Sequence, residues 1–432
     1  MATVTVDQAK LVLSSFAAIF QNNLVSKDLV TWRKFDGEMN SRNGLVVVEQ
    51  VVPRYNVTQS TSTIQDLSGG VQDTVFGSEQ YKVDNVFGTS MGWGDFVKVR
   101  DIDSARESHA IRMAALNLAE EIDQYIMSRI RGFAYNQTGT IGNNVATFDD
   151  VANGYTRLKE EGVDDSEIRS VLTYADKQAL GDWIVDNNDS ALSGAEGVYR
   201  QGFNGTVAGI PTMFTQQLQN HTNGNDVTGI TIDGASQEVD YVDVAVSGGP
   251  GQFKTQTIVL TGFTANTGTL TAGSIFTVAN VNAWDNRAGQ SLGRAQQFVV
   301  VTGGTADANG DITARIYPAM IVQGTGDVNT AHATVDAAPA DTAALTFLGS
   351  ASTAYKPRLM LQKSAVVANT AELPLPVTGI GTRQKLSELP LSIRMWQDSV
   401  FATGEHRVRF DVAINANVSG AGRNRIVRIN GA

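Results

Sequence analysis

The chain has 432 residues, is 42% hydrophobic and 18% charged, and carries a formal net charge of −11. That length accommodates about two or three cores, and the acidic balance excludes a whole surface built for general nucleic-acid binding. The absence of cysteine excludes a disulfide framework and a thiolate metal site, and 42 glycines among many Thr, Asn and Val favour short strands and turns.

Residues 6–25 are amphipathic, with Ala9, Val12 or Leu13, Phe16, Ile19, Phe20 and Leu24 on one face, and predict an N-terminal helix packed on a neighbour. Only Lys10 and Lys27 are basic there, which argues against a membrane-surface helix. Residues 1–30 lack the pattern of a secretory signal, and no apolar run reaches the roughly 20 residues that span a bilayer. A polar stretch from Arg33 to Asn43 precedes a strand-like run over 45–53. Residues 56–99 read as a long hairpin-like excursion, with turn clusters at 68–70 and 88–94.

The longest uninterrupted helical pattern follows, over residues 103–133. Asp103 and Ser104 offer N-cap oxygens, and Glu107 sits where the helix dipole favours an anion. Ile111, Leu118, Ile122, Ile126 and Ile130 recur at helical spacing, and Gly132 marks the stop. About 30 residues at about 1.5 Å each make a rod of about 45 Å. Its apolar stripe is wider than a heptad seam, so it reads as the beam of a mixed domain.

A second amphipathic helix is expected over 146–162 (Phe148, Val151, Tyr155, Leu158), a strand over 168–173 and a third helix over 176–185. From 222 to 352 no helix is expected. Short β-like runs beginning near Gly229, Gln256, Ser274, Gln297 and Asp311 alternate with turn residues, as in a small barrel or sandwich. Eleven acidic residues here face only Lys254, Arg287, Arg294 and Arg315, the composition of a separate domain. Beyond Tyr355 the chain turns basic. Residues 392–396 and 407–415 alternate as half-buried strands do, and Arg423, Arg425 and Arg428 follow. The whole is an α+β chain interrupted by an inserted all-β domain.

No chemistry converges. His109, His221, His332 and His406 have no ligand spacing, and neither a phosphate-binding loop nor a nucleophile elbow occurs. Glu120, Glu121 and Asp123, and likewise Glu160 and Glu161, read as solvated or subunit-facing helix surfaces. Residues 307–311 resemble the start of a calcium loop but lack its terminal Glu, so Asn309-Gly310 reads as a hairpin turn. The arginines near the C-terminus alternate with apolar residues, which fits a solvated or subunit-facing side of a sheet at least as well as phosphate contact. No catalytic residue, cofactor or metal is expected.

In this order the segments resemble the major capsid (coat) protein of tailed phages, and specifically podophage coat proteins of the Salmonella type, with a Hong Kong 97-type fold and an inserted β-barrel. Residues 43–50 resemble the strand before that family's extended loop, 56–95 the loop, 103–133 the spine helix, and 148–211 the peripheral domain. The runs at Thr257, Leu270, Phe298 and Asp311 resemble the inserted barrel, and 392–415 the axial and closing strands. The resemblance implies an N-terminal arm and first strand over 1–55, the extended loop over 56–99 and the spine helix with peripheral domain over 100–221. The barrel then occupies 222–353, and the axial domain with closing strands 354–432.

What the resemblance implies for function is self-assembly into pentamers and hexamers of an icosahedral procapsid and capsid. The shell encloses double-stranded DNA, contacted without sequence specificity, and is assembled in the host bacterial cytoplasm. It also implies a scaffolding protein, a portal protein and room for a decoration protein, with no membrane. An intersubunit loop on the inserted domain would correspond to Asp240, Asp243, Gly248, Gly249 and Lys254. Lys82 is the loop residue that would stand where distant relatives cross-link a Lys to an Asn, but no acid constellation accompanies it. A secreted β-rich adhesin or glycan-binding protein would suit the middle of the chain but not its helical first half. An enzyme would suit only its length.

Overall fold

A computed structural model describes residues 6–38, 46–51, 53–55, 74–93, 109–187, 206–246, 249, 251–324, 326–400, 405–418 and 425–431. The expected caps at Asp103, Ser104 and Glu107, residues 56–73 of the excursion, Gly248 and Arg423 lie outside them. The chain divides into two compact units. One comprises Met1–Val47, Tyr81–Arg129 and Val366–Asn417; the other comprises Val48–Gln80, Ile130–Ala365 and Val418–Ala432.

In the first unit, helix α1 (Val6–Asn23) buries Ala9, Leu13, Phe16, Ala17 and Phe20, the stripe its periodicity predicts. Phe16 stacks on Phe410, ring centroids 4.0 Å apart. The sheet here runs in the order Thr31–Glu38, Val366–Glu372, Glu405–Val418, Ser392–Val400, Ile380–Lys385. Val86–Trp93 also pairs antiparallel with Glu405–Val418, from Val86 opposite Ala413 to Trp93 opposite His406. The polar stretch from Arg33, which carries no strand pattern of its own, is strand as far as Glu38. Thr31–Glu38 pairs parallel with Val366–Glu372, so a distant partner overrides weak local propensity.

Helix α2 (His109–Phe133) buries Ile111, Ala115, Leu118, Ile122 and Ile126 within this unit, and its last turn, with Ile130, belongs to the second. Asp123 corrects the expectation of a solvated polar face. It is buried, and its carboxylate accepts the backbone N–H groups of Val25 (2.8 Å) and Ser26 (2.9 Å), holding the turn after α1. Burial raises its pKa against the pull of those hydrogen bonds. Two residues on, the Tyr125 hydroxyl donates to Asn415 (2.6 Å) and accepts from Asn85 (2.8 Å), tying the helix to the sheet.

In the second unit, a mixed sheet is ordered Asn136–Thr138, Ile426–Ile429, Arg358–Gln362, Ile168–Leu172, Ile210–Phe214, Thr206–Val207. Helices α3 (Phe148–Glu160) and α4 (Tyr174–Asn187) belong to this unit. Helix α3 starts at a capping box in which Thr147 and Asp150 satisfy each other's backbone N–H. Val151, Leu158, Leu172, Leu180, Met360, Val427 and Ile429 form the core between these helices and the sheet. Phe148, expected on the buried face, is exposed at the first turn.

The inserted segment forms a six-stranded antiparallel sheet: Thr231–Ile232, Gln256–Thr261, Ile312–Tyr317, Gln290–Thr302, Ile275–Asp285, Leu345–Phe347. Its two edges meet. Ile232 N–H donates to Ala343 O (3.0 Å) and Leu345 N–H to Ile230 O (2.9 Å), which closes a barrel and removes free edges. Ile258, Leu260, Phe276, Phe298, Ile316 and Phe347 fill it. The expectation of no helix in this region is corrected by two short ones, α5 (Tyr241–Ala245) and α6 (Asp327–His332). Runs of five or six residues are too short to show a helical period. The turn at Asn309-Gly310 forms as expected, with Gly310 at φ +87° and the Asp307 carboxylate accepting two backbone N–H groups.

Barrel and mixed sheet share polar contacts. Gln137 N–H donates to Gln297 Oε1 at 2.7 Å, and Arg294 reaches Glu160 (3.2 Å) and Glu161 (3.0 Å). Glu160 and Glu161, read as a solvated or subunit-facing pair, are therefore partners of the inserted domain.

Candidate functional site

The described residues offer broad apolar and charged surfaces. Among them no group of three or more His, Asp or Glu side chains is placed to hold a metal ion, and no helix is long and apolar enough to cross a membrane. His109 is exposed; His221 and His332 are buried 111 residues apart in sequence and join no common cluster.

The segment around α5 gathers the residues singled out in the sequence. Asp240 sits at the N-cap position of α5 and Asp243 in its first turn, and both are exposed. Asn329 of α6 donates its amide to the Asp240 carboxylate (2.6 Å) and accepts the Tyr241 N–H (2.8 Å), which locks the two short helices together. The Tyr241 ring is buried and stacks on His332, centroids 3.6 Å apart. Burial, with Lys254 and Arg54 nearby, lowers the His332 pKa to about 3, so the stacked imidazole is neutral at neutral pH.

After α5 the chain makes a loop and returns, Lys254 N–H donating to Val244 O at 3.2 Å. Lys254 itself is half-buried, its ammonium over the rings of Tyr241 and Phe253. It packs the base of the loop instead of standing out from it as Asp240 and Asp243 do. Of the two tip glycines, Gly249 accepts the Gln252 N–H (3.1 Å), and Gly248 lies outside the described residues.

What sequence reading missed is the apolar character of this surface. Val242 is 55% exposed, Val246 62% and Phe76 52%. They are neighbours: Ser78 bridges Val246, and a side chain at Gly77 would run into Phe253, the Tyr241 hydroxyl and the Ala245 carbonyl. The spacing of Val242 and Val246 is one helical turn, a signal visible in the sequence, but nothing local told which face would lack a partner. Val46, Val47 and Val48 of the strand Val46–Val51 are exposed as well, and so are Leu375 and Val377. Exposed valines next to carboxylates form a surface suited to repeated protein contact.

Charge is distributed unevenly over the barrel. Its basic side chains are engaged within the subunit: Arg287 donates to Gly162 O (2.6 Å), Arg294 pairs with Glu160 and Glu161, and Arg315 donates to Gln252 and Thr255. Asp233, Asp240, Asp243, Asp307, Asp327 and Asp341 remain exposed. The exposed charge of the barrel is therefore mostly acidic. Elsewhere Lys82 pairs with Asp84 at 2.7 Å.

The family described as P22 coat protein - gene protein 5 matches residues 1–420. No curated relative matches the sequence. Among solved structures, the chain is similar to the capsid of cyanophage P-SCSP1u, with 10% identity, TM-score 0.44, and 95% of this chain and 88% of that chain covered. It is similar to a structure from Mycobacterium phage Che8 (10% identity, TM-score 0.42, 90% and 86% covered) and to the capsid of Ralstonia phage GP4 (7%, 0.42, 93% and 85%).

Proposed function

From the premise that this chain belongs to the P22 coat protein family, and so is a phage major capsid protein that builds the virion shell, we propose how it does so. The subunit forms pentamers and hexamers of an icosahedral procapsid in the bacterial cytoplasm, assembled around a separate scaffolding protein. One vertex takes a portal protein, and double-stranded DNA is packaged inside without sequence-specific contact.

The α5 loop is the intersubunit contact of the inserted domain. What supports this is the exposed group Phe76, Val242 and Val246 beside Asp240 and Asp243. A shell needs many shallow, repeated contacts that are individually weak and collectively strong. The acidic barrel faces outward, since its exposed carboxylates would repel packaged phosphates. The test is co-expression of the chain with and without a scaffold, followed by electron microscopy. The parent chain gives closed shells with scaffold. A Val242→Asp, Val246→Asp double variant gives folded subunits that do not close shells. Normal shells from that variant would remove the α5 loop from the contact.

A further inference from the structure

We propose that Arg131, Arg428 and the Tyr355 hydroxyl form a binding site for a small oxyanion of the phosphate class, inside the second unit of the subunit. Arg428 lies on the strand Ile426–Ile429 and is 1% exposed. Its register partner is Leu359, so it points to the sheet face away from α3 and α4. One guanidinium nitrogen, Nη2, donates to the Arg131 carbonyl at 2.7 Å, while Nε and Nη1 are buried with no hydrogen-bond partner. Arg131, in the last turn of α2, donates through Nη1 to the carbonyls of Gln219 (3.3 Å) and Asn220 (3.0 Å), and its Nε is likewise buried without a partner. The buried Tyr355 hydroxyl lies within reach of the Arg428 guanidinium but makes no hydrogen bond of good geometry with it.

Two guanidiniums and a phenol therefore meet with several donors unused, and among the described residues no carboxylate pairs with either arginine. That is an expensive arrangement, because a buried donor loses its water without replacement and two like charges share a low-dielectric site. The field registers in every neighbour. Burial and Arg131 bring the Arg428 pKa down to about 10, and burial lowers that of Arg131. His221, whose ring packs edge-on against Tyr355, is held neutral by burial and by both arginines, its pKa lowered to about 3. It adds no charge of either sign at neutral pH.

An anion with several acceptor oxygens meets each of these unused donors. Phosphate fits better than a single carboxylate because the donors come from three separate segments of chain. Tyr355 and Asn220, both beside the arginines, also line a cavity of about 590 Å³ with Lys356 and Thr215, although neither Arg131 nor Arg428 stands on its wall. A nucleic-acid backbone could not follow so far into the subunit, so the source is a free ion.

Isothermal titration of inorganic phosphate into the purified full-length chain, at fixed ionic strength, tests this. A short oligonucleotide serves as the second arm. Expected is saturable binding of one phosphate per chain with no matching site for the oligonucleotide, and a loss of about tenfold or more in affinity for Arg428→Met. Tyr355→Phe, which removes one oxygen and keeps the ring, also weakens binding and decides the matter if Arg428→Met does not fold. Absence of saturable phosphate binding to the parent chain, unchanged affinity in Tyr355→Phe, or binding of the oligonucleotide in place of phosphate would each overturn the proposal.

Discussion

Arg358 and Arg428 stand on neighbouring strands of one sheet, one register step apart, and point to opposite sides of it. Arg358 faces α4. Its Nε donates to both oxygens of Asp176 (2.8 and 2.7 Å), and its remaining nitrogens reach Asn143 O and the Asn144 side chain. Asp176 also accepts from the Val145 N–H and from the Thr173 N–H and hydroxyl, so the pair is buried with its hydrogen bonds made. Arg428 faces the other way, toward Arg131, with no acid. A shift of one residue in a strand thus separates a finished ion pair from an unfinished one. The difference teaches that burial alone does not mark a charge as structural. What counts is whether the facing element supplies its counterpart.

The largest effect should come from cutting the finished pair. Asp176→Ala leaves Arg358 buried without its acid and should cost about 3–5 kcal/mol in urea unfolding of the unassembled subunit. Gly154→Val attacks the same face through packing. A side chain at Gly154 runs into Ile429 and Met360, so α3 must lift from the sheet, at about 1–3 kcal/mol by the same measurement.

Acidification probes the surroundings of Arg428 through His221, and the inserted segment through His332. His221 and His332 have pKa values lowered to about 3, below the unfolded value, so the unfolded chain takes up protons first. Their contribution is full above about pH 6.5 and falls as pH drops toward 3, by up to about 1.4 kcal/mol per pH unit for each. His221→Gln should flatten part of that slope in a series of urea curves. The smallest effect belongs to Arg428→Met, expected within about 1 kcal/mol in phosphate-free buffer, because it strands no buried acid and gives up a single hydrogen bond, to the Arg131 carbonyl, while removing a costly buried charge. Should it cost as much as Asp176→Ala, the contrast between the two faces fails.

Elements with a long local period were legible in the sequence. The stripes Leu13, Phe16, Phe20 and Ile111, Leu118, Ile122, Ile126 are buried as their spacing predicts. The strand Thr31–Glu38 was not legible, because a polar run becomes strand only when Val366–Glu372 pairs with it from more than three hundred residues away. Barrel closure between residues near 231 and 344 is invisible for the same reason. Charges were misread in one direction: Asp123, Glu161 and Arg428 looked like surface residues, since nothing local announces a buried partner or the lack of one. At the candidate site, Asp240 and Asp243 came from family resemblance, whereas the exposure of Phe76, Val242 and Val246 depends on which faces remain uncovered after folding.

Cryo-EM of particles assembled from this chain together with a scaffolding protein measures the central claim directly. The account predicts closed icosahedral shells whose acidic barrel lies on the outer surface, with the α5 loop touching a neighbouring subunit. A chain that stays a dispersed monomer beside a scaffolding protein, or shells with the barrel lining the lumen, would contradict it.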